Sequence, residues 1–237
     1  MSGIASQWPR QSFLARLTQR DRDDLLALGV RYIRDPSSLV VAQGERTRHV
    51  VILLVGYVKV TTTTAGHQEA LMAVRGPGDI IGELAAMSGA ERSATVTTCG
   101  RVVGRLIPQA ILERFLTDHP DVSRHLTAVV GDRLLWANRR RTDFVSLPAG
   151  MRVARVLRDL AVVFAGPTEP GGPVSVTVTQ PELASIAGIR EVTVHKELRG
   201  LRDLGAISTG YRKVTIIRPD LLRDLCEQEV EEWEPGQ

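Results

Sequence analysis

The sequence has few cysteines and no long hydrophobic run. Its two cysteines, Cys99 and Cys226, are far apart and show neither a Cys-x-x-Cys pair nor the spacing of a metal site. This usage fits a reducing compartment, so we expect packed thiols rather than disulfides or metal ligands. No stretch approaches the roughly 20 apolar residues that cross a membrane, and the first residues lack a signal-peptide core. These absences predict a cytoplasmic protein without a membrane partner.

The chain is long enough for two ordinary domains, and its charge is unevenly spread. With 237 residues, 43% of them hydrophobic, it can bury proper cores. The net charge of +3 conceals a basic module at residues 150–218, with ten Arg/Lys against six Asp/Glu, and an acidic end at residues 219–237, with one Arg against seven acids. The module suits a polyanion, and we expect the acidic tail, EQEVEEWEPGQ, to be solvated.

Short β-rich segments fill residues 30–107. The turn signals that divide them include Asp35-Pro36, Gln43-Gly44, Ala65-Gly66 and Gly76-Pro77-Gly78-Asp79. Many short strands punctuated by Gly and Pro predict an antiparallel barrel or a two-sheet jelly roll. One helical segment at residues 10–28 precedes the strands, and another around residues 108–117 follows them.

A barrel of this kind also suggests a metal-dependent cupin enzyme, which the histidines argue against. Such a site needs two or more histidines with a carboxylate on facing strands. The five histidines, at positions 49, 67, 119, 125 and 195, include no His-x-His pair. The sequence also offers no paired nucleophile and base. We therefore predict neither a catalytic nor a metal site, and metal analysis of the purified protein would expose the cupin alternative.

Residues 81–97, IGELAAMSGAERSATVT, have the chemistry of an anion site. Gly82 lets the backbone approach a ligand, and the helix-forming residues that follow aim free N–H groups at an anion. Arg92 supplies a planar fork of donors that a phosphate accepts in pairs, and Ser93 adds a hydroxyl donor. A carboxylate beside a phosphate is repelled, so Glu83 is expected to bind sugar hydroxyls. Phosphate and sugar together indicate a nucleotide.

The order Gly82-Glu83-Leu84, followed eight residues later by Arg-Ser-Ala-Thr, resembles the phosphate-binding cassette of cyclic-nucleotide-binding domains, in particular those of the CRP/FNR family of bacterial transcription regulators. The resemblance implies that Glu83 binds the ribose 2′-hydroxyl, Arg92 and Ser93 the cyclic phosphate, and Gly82 makes a backbone contact. It implies a cyclic nucleotide effector, cAMP first and cGMP or a cyclic dinucleotide as alternatives, with no covalent cofactor. An iron–sulfur sensor is disfavoured because two distant cysteines cannot supply four ligands. The simplest structural alternative pairs Arg92 with Glu83 or Glu91.

Residues 121–146 predict one long helix with a narrow apolar stripe. The stripe consists of Leu126, Val130, Leu134, Ala137 and Phe144. On a helix of ~26 residues, ~39 Å long, such a stripe favours a coiled-coil seam between two copies, with packing on its own domain as the alternative. The resemblance implies the same dimer seam.

The resemblance also assigns ligand contacts to this helix. Arg133-Leu134 matches an Arg-Leu pair of the family, whose Arg lies near the cassette Glu. Two positions that read the adenine amino group in cAMP-responsive members, Thr then Ser, fall on Ala137 and Asn138. Asn138 can hydrogen-bond a base edge and Ala137 cannot, so the sequence leaves the identity of the base open.

Residues 179–207 have the pattern of a helix-turn-helix. Thr179 with Glu182 forms a capping box, and Gly188 supplies a turn where a positive φ is useful. The second helix, from about Arg190, is expected to bury Val194, Leu198, Leu201 and Leu204. After it, AISTGYRKVTII predicts a hairpin wing with a basic tip. A major groove admits one such helix, so double-stranded DNA is the expected partner.

The residues expected to face DNA lie on both helices and on the wing. They are Thr179, Gln180, Arg190, Glu191, Thr193, His195, Lys196, Arg199, Arg212 and Lys213. The pattern of the second helix departs from that of many relatives, because their base-reading Arg and Glu fall on Glu191 and Val192. We therefore predict DNA binding without carrying over the family's usual operator.

Together these features predict an α+β protein that is a ligand-responsive, homodimeric DNA-binding regulator. Residues 1–120 are expected to form a cyclic-nucleotide-binding β jelly-roll barrel, residues 121–147 a central dimerisation helix, and residues 148–237 a winged helix-turn-helix domain. In the family the loop around residues 165–173 is a place where RNA polymerase is touched. The alternative is a regulator of the same fold that binds DNA without a cyclic nucleotide or senses another ligand.

Overall fold

The computed structural model describes residues 8–9, 11–63, 69–165 and 172–227. The predicted turn at Ala65-Gly66, residues 166–171 of the predicted polymerase-facing loop, and residues 228–237 of the acidic end lie outside this part of the chain. The chain divides into two compact units, Met1–Leu135 and Trp136–Gln237. Each unit is described separately below.

The first unit begins with two short helical segments and continues with strands. A 3-10 turn at Leu14–Arg16 precedes α1 (Gln19–Ala27), which Thr18 caps by accepting a hydrogen bond from the Asp21 backbone N–H at 3.2 Å. The strands are β1 (Val30–Arg34), β2 (Leu39–Val41), β3 (His49–Val55), β4 (Val58–Thr63), β5 (Glu69–Arg75), β6 (Ile80–Ile81), β7 (Thr95–Thr98) and β8 (Val102–Pro108). Helix α2 (Glu83–Ser88) lies between β6 and β7, and α3 (Gln109–Asp118) follows β8.

These eight strands form two four-stranded antiparallel sheets, as the sequence predicts for a jelly roll. One sheet has the order β1-β8-β3-β6 and the other the order β2-β7-β4-β5. A buried cluster between them includes Tyr32, Val51, Leu53, Val58 and Val96. Residues Ile81 to Thr95 join the two sheets, so the anion-site segment runs from the end of β6 in one sheet to the start of β7 in the other.

The outer face of the first sheet is covered by helices. Phe13, Leu14 and Leu25 are fully buried there with Ile52, Ile80 and Ile107. The long helix α4 (Pro120–Ser146) adds Val122, Leu126 and Val129 to the same core. Burial of each such side chain stabilises the unit by about 1.5–3 kcal/mol. The first turns of α4 are therefore part of the barrel unit.

The apolar residues of the stripe predicted on α4 consequently lie in different surroundings. Leu126 is buried in the core of its own unit, which corrects its assignment to a seam, whereas Leu134 is 61% exposed. Leu135 and Val145 add exposed apolar surface at 67% and 90%. Phe144, near the end of the helix, packs against the turn at Gly188 in the second unit. Own-domain packing is thus correct for the first turns of the helix.

The second unit contains the rest of α4 and a three-stranded sheet. Its elements are α5 (Ala149–Phe164), β9 (Val174–Val176), α6 (Gln180–Ala187), α7 (Glu191–Asp203), β10 (Ile207–Gly210), β11 (Lys213–Ile216) and α8 (Pro219–Glu227). The sheet order is β10-β11-β9, and the β10–β11 hairpin is the predicted wing. Met151, Val153, Ala154, Val156, Leu157 and Leu160 of α5 are buried, and α5 packs against α6, α7 and α8.

Helix α8 forms the first part of the acidic segment, and the tail predicted to be solvated lies, apart from Glu227, outside the described residues. Leu222, Leu225 and Cys226 are buried on its inner side, and α8 packs on α5. Burial raises the pKa of the Cys226 thiol to about 11, so this cysteine is a packed thiol as predicted. The spacing of Leu222, Leu225 and Cys226 could have predicted this helix, but the acidic residues around them obscured the pattern.

Candidate ligand-binding and DNA-binding sites

The first unit holds a cavity of about 160 Å³ beside the anion-site segment. Its lining consists of Val41, Val60, Arg75, Ile81, Gly82, Glu83, Leu84, Ala85, Arg92, Ser93, Ala94, Val96 and Arg133. Three guanidinium groups and one carboxylate therefore face a single hollow whose other walls are largely apolar. Such a lining suits an anionic ligand that also has an apolar part.

Arg92 is fixed within its own chain and also lines the cavity. Its Nε donates to Thr47 Oγ1 at 3.0 Å, Nη1 to the Gly82 carbonyl at 2.9 Å and Nη2 to the His49 carbonyl at 2.7 Å. A guanidinium has five N–H donors, so two have no partner among the described residues. Burial lowers the pKa of Arg92, and Glu45 and Glu83 oppose this effect. The group is therefore oriented before any ligand arrives.

The alternative pairing of Arg92 with Glu83 or Glu91 is wrong. Arg46 binds Glu91 instead, with 3.0 Å between Arg46 Nη2 and Glu91 Oε1, and Glu83 binds Arg133. Arg133 Nη1 lies 2.5 Å from Glu83 Oε1, and its Nη2 donates to the Ile80 carbonyl at 3.1 Å. Asp79 Oδ1 is a further 3.4 Å contact of the same guanidinium. The second oxygen of Glu83 has no hydrogen bond to any described residue.

The structure gives a second reason why residue 82 is a glycine, besides the close approach of its backbone to a ligand. Its φ is +84°, in the left-handed region, and an added Cβ would lie 2.4 Å from Arg92 Nη1 and 2.9 Å from the His49 carbonyl oxygen. The absent side chain makes room for the guanidinium. Helix α2 has only six residues, Glu83–Ser88, so side chains rather than a helix end supply the positive charge here.

The other predicted ligand residues have different positions. Leu84 and Ser93 line the cavity, and both are exposed. Leu134 is not among the lining residues. Asn138 is exposed on the part of α4 that belongs to the second unit.

Sequence reasoning missed Arg75, which lines the cavity. Arg75 ends β5 and shares a face of that strand with Ala73, which is 6% exposed and pairs with Val60 of β4. Alternate strand residues point to the same face, so an arginine in this series points inward. Because the register shifts between Leu71 and Ala73, the face of Arg75 follows from its pairing with β4 and not from the sequence pattern of β5 alone. Burial lowers the pKa of Arg75 to about 10, with repulsion from Arg133 adding to the effect, so it stays charged at neutral pH.

The helix-turn-helix has the predicted local chemistry. Thr179 Oγ1 accepts from the Glu182 backbone N–H at 3.4 Å, and the Glu182 carboxylate accepts from the Thr179 N–H at 2.8 Å, which confirms the capping box. Gly188 has a φ of +63°, as the turn requires. Leu183, Ala184 and Ile186 are buried. The conformation of the turn is therefore determined by the capping of α6 at both ends and by the buried residues of that helix.

Helix α7 presents a polar face. Arg190 is its N-cap residue, and Arg190, Glu191, His195, Lys196 and Arg199 are exposed, whereas Thr193 is half-buried. Thr179 and Gln180, at the start of α6, are also half-buried. Val194, Leu198 and Leu201 are buried as predicted, but Leu204 is 54% exposed because the helix already ends at Asp203. Val192, an exposed apolar residue absent from the predicted set, joins this face with 80% of its surface accessible.

The wing has a two-residue tip. Gly210 pairs with Lys213, which leaves Tyr211 and Arg212 at the turn, with Tyr211 92% exposed and Arg212 at a φ of +52°. Arg202 of α7 donates to Thr209 Oγ1 of β10 at 2.9 Å. This bond connects α7 to the wing. Arg212 and Lys213 are both exposed.

Neither a metal cluster nor a membrane-crossing helix is found in the described parts of the chain. No group of three or more His, Cys, Asp or Glu among these residues could hold a metal ion. Likewise, no helix in the described ranges is both long enough and apolar enough to cross a membrane.

A two-sheet barrel with a guanidinium-lined cavity, a long helix and a winged helix-turn-helix together define a ligand-binding transcription regulator. Residues 35–119 match the model of the cyclic nucleotide-binding domain, and residues 151–225 match that of the Crp-like helix-turn-helix domain. With the relatives below, these matches show that the chain belongs to the CRP/FNR family of transcription regulators.

Two curated relatives represent the sequence similarity. The CRP-like cAMP-activated global transcriptional regulator of Mycobacterium tuberculosis is 31% identical over 179 residues, which cover 75% of this chain and 79% of that protein. The cAMP-activated global transcriptional regulator CRP of Escherichia coli is 26% identical over 180 residues, covering 76% and 85%. Both relatives are named as transcriptional regulators.

Solved structures show the same fold. FixK2 from Bradyrhizobium japonicum matches with a TM-score of 0.71 at 18% identity, covering 85% of this chain and 99% of that one. The c-di-GMP responsive global regulator CLP of Xanthomonas campestris matches with a TM-score of 0.68 at 19% identity, covering 84% and 99%. At these identities the similarity concerns the fold alone.

Proposed function

We propose that this chain is a homodimeric transcription regulator whose binding to a DNA operator is controlled by a cyclic nucleotide in the cavity of the first unit. The observation that carries the proposal is the meeting of Arg92, Ser93, Glu83 and Arg133 around one cavity. The two free N–H donors of Arg92 and the Ser93 hydroxyl suit a cyclic phosphate. The free oxygen of Glu83 suits a ribose hydroxyl.

The relatives' names support a cyclic nucleotide without deciding which one. The M. tuberculosis and E. coli relatives are named as cAMP-activated, and the X. campestris regulator as c-di-GMP responsive. On these names cAMP is the first ligand to test, followed by cGMP and cyclic dinucleotides. A DNA-binding regulator of this kind acts in the cytoplasm, where the chromosome lies.

The ligand can control DNA binding only by preferring one arrangement of the protein. Arg133 links Glu83 to α4, and α4 continues to Ser146 in the second unit. A nucleotide that engages Glu83 therefore acts next to the long helix. We propose that it biases how two copies present their α7 helices to grooves one turn apart, ~34 Å.

Isothermal titration calorimetry tests the sensor. Wild type is titrated with cAMP, cGMP and cyclic dinucleotides, and Arg92→Ala is expected to lose binding of whichever ligand binds. Arg46→Ala is the matched control, because it removes an exposed barrel arginine that does not line the cavity. Failure of every nucleotide to bind would refute the sensor and leave DNA binding standing.

DNA binding is tested by fluorescence anisotropy with duplex DNA across a salt series. Lys196→Ala is expected to weaken binding to all sequences and to reduce the salt slope by about 1, because one phosphate contact is lost. Arg20→Ala removes the same charge from α1, whose Arg20 side chain is 91% exposed, and is expected to leave the slope unchanged. Equal slopes for Lys196→Ala and wild type would remove Lys196 from the interface.

The dimer is proposed to form through residues 121–146. Leu134, Leu135 and Val145 supply exposed apolar surface on α4. Analytical ultracentrifugation of Leu134→Glu is expected to show a shift toward monomer relative to wild type. A wild-type chain that sediments as a monomer would exclude the dimer.

The second function is a regulator of the same fold that is not gated by cyclic nucleotide. The three bonds that hold Arg92 to its own chain favour it, because the guanidinium is already well bound without a ligand. In that case operator affinity is the same with and without nucleotide.

A further inference from the structure

One charged side chain of the cavity, that of Arg75, has no role in the proposed binding of a cyclic nucleotide. Arg75 lines the cavity, and its guanidinium has no hydrogen bond or ion pair to any residue in the described part of the chain. By contrast, Arg92 and Arg133 are each held by several partners. Half-buried N–H donors without acceptors are costly, so this side chain favours a ligand that supplies acceptors.

The charged neighbours of Arg75 overlap with those of Arg92. Arg133, Asp79 and Glu83 act on Arg75, whereas Glu45 and Glu83 act on Arg92. Glu83 is a neighbour of both guanidinium groups. A nucleotide with its phosphate at Arg92 and its ribose at Glu83 has its base on the side of the sugar away from the cyclic phosphate, and Arg75 is a lining cation that neither of these two contacts uses.

The sheet beside Arg75 provides a flat apolar surface for a base. Register pairs Val41 with Val96, Val96 with Val60, and Val60 with Ala73, so these four residues form a row across β2, β7, β4 and β5. Arg75 follows Ala73 on the same face of β5. Val41, Val60 and Val96 line the cavity. A purine ring against this row would present its edge to the guanidinium.

We propose that Arg75 determines base specificity in this cavity by donating two hydrogen bonds to the O6 and N7 acceptors of guanine, so that cGMP is bound in preference to cAMP. Adenine has an N6 amino donor where guanine has O6, and a guanidinium has no acceptor to meet it. The inference rests on the proposed function, since it assigns the base of the same ligand. A bidentate contact of this kind gives about 5- to 150-fold discrimination between bases.

Calorimetry of the full chain with four ligands tests the assignment. Cyclic GMP and cyclic IMP both have the O6/N7 edge, cAMP lacks it, and cyclic di-AMP offers a second phosphate without guanine. Wild type is expected to bind cGMP and cyclic IMP about 5- to 150-fold more tightly than cAMP. Arg75→Leu is expected to abolish this preference. Arg75→Lys keeps the charge but not the fork, and it is expected to lose most of the preference.

The controls separate this inference from the proposed function. Arg31→Leu changes an exposed arginine on β1, outside the cavity, and is expected to keep the preference. Circular dichroism checks that each variant is folded. Equal or tighter binding of cAMP by wild type, a preference that survives in Arg75→Leu, or tightest binding of cyclic di-AMP with loss in Arg75→Leu would each overturn the guanine assignment alone. Absence of binding by all four ligands would overturn the proposed function as well.

Discussion

Arg133 on α4 donates a 2.5 Å hydrogen bond to Glu83 at the start of α2, so the long helix holds the carboxylate that the sequence assigns to the ribose. The side chains are 18% and 6% exposed, and Glu83 faces the cavity from α2. Breaking a buried pair by removing one partner costs far more than the pair itself contributes, because the remaining charge is left without compensation.

Arg133→Ala is therefore expected to destabilise the first unit by about 3–5 kcal/mol. Urea unfolding measures the change in free energy. Arg124→Ala is the matched control, since Arg124 pairs with Asp121 on the same helix with side-chain exposures of 80% and 66%, and such a surface pair contributes about 0–1 kcal/mol. Similar costs for the two variants would show that the Glu83–Arg133 pair has no special importance for stability.

Gly82→Ala is expected to impair both stability and ligand binding. Any residue with a Cβ is strained at a φ of +84°, by about 1–2 kcal/mol, and here the added carbon also displaces the Arg92 guanidinium. Gly44→Ala isolates the first effect, because Gly44 has a φ of +83° and no atom within 4 Å of an added Cβ. Both variants are expected to lose stability in urea, and only Gly82→Ala to lose nucleotide binding in calorimetry. Intact binding by Gly82→Ala would contradict the role given to Arg92.

The stability of the first unit is expected to rise with pH through the ordinary histidine pKa of about 6.5 because of His49. Burial, together with the nearby Arg92 charge, lowers the pKa of His49, and Glu45 opposes this shift. Below the ordinary histidine pKa of about 6.5 the unfolded chain binds a proton that the folded chain does not, so the free energy of unfolding falls as the pH falls toward the lowered value. Urea titrations at several pH values measure the slope, which His49→Gln is expected to flatten. An unchanged slope in that variant would exclude His49 as its source.

Much of the barrel could be predicted because its signals are local. The predicted turns at Asp35-Pro36, Gln43-Gly44 and Gly76-Pro77-Gly78-Asp79 fall between observed strands, and the helix-turn-helix is specified by its capping box and by the positive φ of Gly188. In the cassette, Arg92 and Glu83 could be assigned to one site by their spacing in a known motif. Their actual partners, Thr47 and His49 for Arg92 and Arg133 for Glu83, come from distant parts of the chain.

Other features depend on tertiary packing that no local pattern records. Leu126 and Leu134 belong to one periodic stripe, yet only Leu126 is buried, because the barrel covers the first turns of α4 and not the later ones. Arg75 was missed because a charged residue at a strand end is usually taken as exposed, whereas its face becomes known only when the register with β4 is fixed. Helix α8 was missed because its acidic residues conceal the spacing of Leu222, Leu225 and Cys226.

Gly188→Ala is expected to weaken both the second unit and DNA binding through a specific clash with Phe144. An added Cβ would lie 2.7 Å from Phe144 Cε1, and the Gly188 carbonyl also accepts a 3.2 Å hydrogen bond from Arg152 Nη1. Gly205→Ala is the matched control, with a φ of +70° and no atom within 4 Å of the new carbon. It therefore has the backbone strain alone.

The double variant Gly188→Ala/Phe144→Leu separates the clash from the strain. The smaller side chain makes room for the added carbon, so the two changes are expected to be less than additive in urea unfolding, by about 0.5–3 kcal/mol for residues in contact. Anisotropy with duplex DNA is expected to recover in parallel, because the turn before α7 regains its position. Strictly additive costs, or a Gly188→Ala variant no weaker than Gly205→Ala, would show that the end of α4 does not constrain the helix-turn-helix through this contact.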